Sequence, residues 1–125
     1  MCADSVDVAS FEALALPSIT CPEERLASGD GSNAVIIIDE IGRMELHSVA
    51  FQAAISRLLA SPEARVVGAI TAPIYGHRVP FCDEVAAHSH VCVQRITQKT
   101  RDAVREGMAH EAISLASAAS AGMQC

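Results

Sequence analysis

A chain of 125 residues holds about one domain and a single modest core. Half of its residues are hydrophobic and 19% are charged, which excludes a disordered chain, and aromatics at 3% leave the core to Val, Ile, Leu and Ala. A formal net charge of -6 with scattered basic residues and no Trp argues against nucleic acid or an anionic membrane as partner.

Val6-Asp7-Val8 is expected to form a short strand. Ser10 then caps a short helix with Phe11, Leu14 and Ala15 on one face, ended by Pro17. A second helical piece is expected from Pro17 to about Ala27. The next six residues, Ser28-Gly29-Asp30-Gly31-Ser32-Asn33, are all turn formers and predict a loop. The apolar run from Ala34 to Ile38 lacks alternation and predicts a strand buried on both faces, as in a parallel sheet. It ends in two carboxylates, Asp39 and Glu40.

From Ser48 to Ala60 the period turns helical, with Phe51, Ala54, Ile55, Leu58 and Leu59 at three- and four-residue steps. Arg65 to Thr71 predicts a second buried strand, followed by a loop marked by Pro73, Gly76 and Pro80. Phe81 to Ala87 predicts a short helix and Val91 to Ile96 a third strand. Thr97 is expected to cap a helix through about Ala109, with Val104 and Met108 on its buried side. Strands alternating with helices imply a βαβ-type parallel sheet. We read residues 1–125 as a single domain without internal repeats: a lead-in strand, helices and loop (1–33), the strand and following βα units (34–110), and an Ala/Ser-rich tail (111–125).

The cysteines are Cys2, Cys21, Cys82, Cys92 and Cys125; their odd number and the lack of a CxxC pair suggest reduced thiols. With no secretory leader and no apolar stretch near the ~20 residues that span a bilayer, the expectation is a soluble cytoplasmic protein.

In open α/β sheets, ligands lie beyond the carboxyl ends of the strands. Asp39 and Glu40 end the most apolar strand of this chain. Two adjacent carboxylates there are costly to bury without a cation, and a Mg²⁺-bound triphosphate supplies one. The competing reading is a strand that ends in a solvated acidic turn.

The longer string Ile38-Asp39-Glu40-Ile41-Gly42-Arg43-Met44-Glu45-Leu46 resembles the Walker B segment of the P-loop nucleoside-triphosphatases first known from thermophiles, the family that includes the cancer-related nucleoside-triphosphatase. The resemblance extends to Val6–Pro17, to Phe51–Leu59 and to Val91–Arg101, covering roughly residues 6 to 109 in the family's order. It departs at Arg43, where Lys is usual, and at Thr100, where Asn is frequent.

The resemblance implies a three-layer α/β/α P-loop fold with a mainly parallel sheet, incomplete at the N-terminus. It implies Mg²⁺-dependent hydrolysis of nucleoside 5′-triphosphates such as ATP or GTP. Asp39 would serve Mg²⁺ directly or through water, Glu40 would be the general base, and Arg101 and Arg43 would reach the nucleotide. Glu45 either supports the metal shell or begins a helix, whose N-terminus favours negative charge.

A triphosphate also needs a cradle, G-x-x-x-x-G-K-[ST]. These 125 residues contain no Gly-Lys pair, and their only lysine is Lys99. The expectation is that the chain is truncated and inactive alone. The family's P-loop strand would lie between the second and third strands, so its absence would leave unpaired edges prone to self-association. The alternative is a shortened, non-catalytic paralogue acting as a binding or regulatory module.

Other constellations are weaker. His88, His90 and Cys92 alternate and could offer three Zn²⁺ ligands without an evident fourth. Cys82 or Cys92 could pair with His77 or His110 as a nucleophile, but no local context activates either. Arg78 lies in a loop from which it could approach a nucleotide or remain solvated.

Overall fold

The computed structural model describes residues 5–27, 29, 35–72 and 78–117. Its first helix starts where a strand was expected. The Asp7 carboxylate accepts hydrogen bonds from the Ser10 backbone N–H (3.1 Å) and the Ser10 hydroxyl (2.7 Å). Asp7, and not Ser10, is therefore the N-cap of α1, Val8–Ser18. The same bonds hold the Asp7 carboxyl below its ordinary range. Pro17 lies within the last turn instead of after it.

The second helical piece is shorter than expected. Residues 19–21 break away from α1, Ile19 and Cys21 turn into the core, and α2 runs over Pro22–Ala27. The expected loop 28–33 lies outside the described residues except for Gly29, which has φ +86°.

The sheet consists of β1, Ile36–Ile41, and β2, Val66–Ile70, paired in parallel. Between them runs α3, Val49–Ala60, as predicted from its period. Ser48 caps it: its hydroxyl oxygen accepts from the Phe51 N–H at 3.0 Å and donates to Glu12 Oε1 at 2.6 Å. One buried hydroxyl thus starts α3 and fastens α1 to it, with the Phe11 and Phe51 rings edge-on 5.2 Å apart. A second tie runs from the Ser61 hydroxyl to Glu23 of α2.

Phe51, Ala54, Ile55 and Leu58 of α3 share one core with Ile36, Ile38 and Ile41 of β1. Cys82 and Val85 of α4, Pro80–Ala87, complete it. Pro80 opens α4 instead of ending the loop, because a first-turn position needs no amide hydrogen. The expectation that the apolar run is buried on both faces holds for only one: Ile37 is 76% exposed. Core residues of α3 and α4 share a cluster with the Ile36/Ile38 row, and the run's other face lacks cover among the described residues.

Val91–Ile96 is not a strand. A strand exists through its ladder, and no strand pairs with this segment among the described residues. Its backbone runs as coil, with Val93 and Ile96 exposed. The last helix begins after a turn over 97–100 and runs further than expected, as α5, Arg101–Ser117. Val104 and Met108 are half-buried, as its period predicted, and Ala112 and Leu115 are half-buried further along the helix. Arg65 ties α5 to the start of β2 by donating to the Leu115 carbonyl at 3.0 Å. No described helix is long and apolar enough to cross a membrane.

Cys21 and Cys82 are free thiols, in keeping with the reduced state expected. Cys92 departs from it: this exposed residue, on the coil after α4, is disulfide-bonded.

Candidate functional site

Strict alternation along β1 would turn residues 36, 38 and 40 toward the core. The observed inward row is Ile36, Ile38 and Ile41. The difference is a β-bulge. Ile38 pairs with Gly68 and Ile41 with Ile70, so β1 advances three residues while β2 advances two. Asp39 and Glu40 occupy the extra step, and both are exposed. Glu40 has φ +93°, the described non-glycine residue with positive φ. The expected strand end is therefore a bulge inside the strand, which continues to Ile41.

Positive φ costs an L-residue roughly 1–2 kcal/mol, least for Gly and most for a β-branched side chain. Glu40→Gly is accordingly expected to match or exceed the parent in urea unfolding, with Glu40→Val about 1–2 kcal/mol less stable than Glu40→Gly. Equal stabilities for the two variants would show that the bulge does not persist in solution.

Backbone and side chains around the bulge bind one another closely. Thr71, just beyond β2, gives its N–H to the Ile41 carbonyl at 3.1 Å. Its hydroxyl donates to Glu40 Oε1 at 3.1 Å, with the Ile41 carbonyl at 3.4 Å as a second acceptor. The Cys82 thiol donates to that same carbonyl at 3.2 Å. Burial above all pushes the Cys82 thiol pKa up, and acidic neighbours Asp83, Glu40 and Glu45 add to this. The thiol stays protonated as a donor, which removes Cys82 as a nucleophile.

Beyond β1 the chain turns at once. The Gly42 N–H donates to Glu45 Oε2 at 3.0 Å, and the Leu46 N–H to the Gly42 carbonyl at 3.1 Å. Glu45 opens the short 3₁₀ turn Glu45–His47, and its bond to the Gly42 N–H closes the bend that leads into it. A Cβ on Gly42 would fall 2.9 Å from Thr71 Oγ and 3.0 Å from Glu40 Oε1. Only glycine leaves room for that contact.

The other expected site residues stand apart from this cluster. Arg43 is exposed in the turn after β1. Arg101 is exposed at the start of α5, where its ionic contact is with neighbouring Asp102 at 4.0 Å. No hydrogen bond or ion pair joins either arginine to Asp39 or Glu40 among the described residues. Arg78 is engaged by Asp83, through Nε at 3.1 Å and a terminal nitrogen at 3.3 Å. His77 lies outside the described residues. The His88 and His90 rings stack edge-on at 5.2 Å, His90 Nδ1 meets the Leu59 carbonyl at 3.1 Å, and the Cys92 sulfur is spent in its disulfide. That trio is not a zinc site.

Thr71 and Gly42 are the contributors that the sequence reading passed over. The signal available was the parallel register itself, which sets a hydroxyl at the end of the second strand beside acids at the end of the first.

The model of a family described as NTPase matches residues 3–109. The chain belongs to the P-loop nucleoside-triphosphatase family. It is 36% identical over 97 residues to the human cancer-related nucleoside-triphosphatase, covering 78% of this chain and 49% of that protein. The bovine homolog is 35% identical over 97 residues, with the same coverage. The crystal structure of THEP1 from the hyperthermophile Aquifex aeolicus superimposes with a TM-score of 0.66 at 32% identity, over 83% of this chain and 58% of that one. The α/β fold expected from the Walker B resemblance is thus the family's fold. The chain spans about half the length of the curated relatives it matches.

Proposed function

We propose that Asp39 and Glu40 are the metal- and water-handling end of a site that hydrolyses nucleoside 5′-triphosphates to diphosphate and phosphate in the complete protein. The observation that carries this reading is the bulge: in a member of this family, it holds both carboxylates exposed above an aliphatic core. Such a placement suits chemistry at a solvent-accessible phosphate and has little value for packing. Glu40 would take a proton from water as its oxygen attacks the γ-phosphorus, while the bond to the β-bridging oxygen breaks.

The donor set suits Mg²⁺, which takes one or two carboxylates and fills its remaining positions with water and phosphate oxygens. Asp39 would hold it, directly or through water, and the ion would neutralise phosphate charge. Glu45 is already engaged by the Gly42 N–H, so its part in this reading is to shape the turn. Arg101 and Arg43 would meet the nucleotide, with Arg43 keeping the charge of the usual Lys at a different donor geometry. The reading places the protein in the cytoplasm, with the described residues as the C-terminal portion of its nucleotidase domain.

Without a Gly-Lys pair in these 125 residues, nothing here cradles the phosphates, and most of the acceleration of phosphoryl transfer resides in such groups. The purified chain is therefore expected to release no phosphate from ATP or GTP above background. Turnover by the chain alone that disappears in Glu40→Gln would overturn this. Joining a Walker A-bearing segment from a relative to residue 1 is expected to create hydrolysis; a stable but inert joined protein would favour the alternative, a non-catalytic binding module. That alternative draws on the missing Gly-Lys pair. An open edge on each strand of the described sheet gives either form a route to self-association, readable by light scattering.

A further inference from the structure

We infer that Thr71 is the positioning residue for Glu40, fixing one carboxylate oxygen so that the other faces the reacting water. This rests on the reading of Glu40 as general base. A glutamate at an exposed bulge has three side-chain torsions to settle, and left alone it would sample many orientations. The Thr71 hydroxyl has a single proton to give, and the Glu40 Oε1 acceptor at 3.1 Å is closer than the Ile41 carbonyl at 3.4 Å. Oε1 is thereby occupied, and Oε2 is left as the atom that accepts a proton.

The surroundings support a device for aiming this side chain. Positive φ at Glu40 and the three-against-two register remove it from the core row on which alternation would place it. Thr71 is itself anchored by its N–H on the Ile41 carbonyl, the residue with which β1 resumes its register. Gly42 keeps open the volume in which the two side chains meet, since a Cβ there would crowd both oxygens at about 3 Å. Thr71 and Gly42 touch no reacting atom in this scheme; they act through Glu40.

The test reads the Glu40 side chain directly. Three-bond couplings about its χ1 are measured by NMR on the isotopically labelled full chain, in the parent, Thr71→Val, Thr71→Ser and Gly42→Ala. The parent is expected to show one dominant rotamer. Thr71→Val and Gly42→Ala are expected to collapse the couplings to averaged values, and Thr71→Ser, which keeps the hydroxyl, to restore the parent pattern. Amide shifts of Ile36–Ile38 should stay unchanged in Thr71→Val, because the backbone bond from residue 71 to Ile41 remains.

Parent-like couplings in Thr71→Val, or averaging in Thr71→Ser as well, would overturn the proposal. If Thr71→Val does not fold, Thr71→Ala carries the same comparison. The outcome separates from that of the functional reading: catalysis indifferent to Glu40→Gln removes the base assignment and leaves the couplings as they are. Couplings indifferent to Thr71 remove the positioning role and leave the base.

Discussion

Glu40→Gln, made in a protein joining this chain to a Walker A-bearing segment, is expected to lower nucleoside-triphosphate turnover about 10²–10⁴-fold. The amide keeps the shape of the side chain and can still receive the Thr71 hydroxyl bond through its carbonyl oxygen. What it loses is the ability to accept a proton from water. Nucleotide affinity should change little, since Glu40 is assigned to the water and not to the phosphates. Asp39→Ala should differ in kind, by raising the Mg²⁺ concentration needed for turnover. Single-turnover phosphate release with separately measured affinities distinguishes the two. A Glu40→Gln protein that retained parental turnover would remove the base from the scheme.

The second large effect concerns stability. Leu58→Ala is expected to cost about 2–5 kcal/mol, through lost transfer energy and the cavity left behind. Leu58 of α3 is 0% exposed and belongs to the core that α3 shares with β1 and α4. Without Trp and with aromatics at 3%, that core has little material that could collapse into the hole. Since whole domains are stable by only about 5–15 kcal/mol, the loss consumes much of the total. Ile37→Ser is the companion measurement, expected to fall within about 0.5 kcal/mol because Ile37 already meets solvent. Urea unfolding of both variants gives the comparison; an Ile37→Ser cost approaching that of Leu58→Ala would mean that something covers the bare face of β1.

Local grammar made α3 and the two paired strands legible. Phe51, Ala54, Ile55 and Leu58 recur with helical period behind a serine cap, and both strands are short β-branched runs bounded by turn formers. Errors arose where a neighbour decided the outcome. Val6-Asp7-Val8 has strand-like composition, but the Asp7 carboxylate found Ser10 and started a helix. Val91–Ile96 has strand composition too, yet no paired strand lies beside it. At the site, Asp39 and Glu40 could be picked out from the Walker B string. The hydroxyl that meets Glu40 could not, because Thr71 is thirty-one positions away and arrives only through the parallel register.

The bulge in β1 also makes the acidic pair depend on parity. Ile36 and Ile38 precede the extra residue and Ile41 follows it, so one odd step separates two inward-facing stretches. Removing one residue between Ile38 and Ile41 would restore regular alternation. One of the two positions that now face solvent would then be gone, and Ile41 would be the next inward residue after Ile38. Inserting another residue would bring the separation to four, which regular alternation also accommodates, but with an inward position set between outward ones in place of the exposed pair. A motif search that tolerates a gap at this point would therefore accept chains whose letters agree while their carboxylates no longer stand as a pair. The spacing from Ile38 to Ile41 is as much a part of the site as Asp39 and Glu40 themselves.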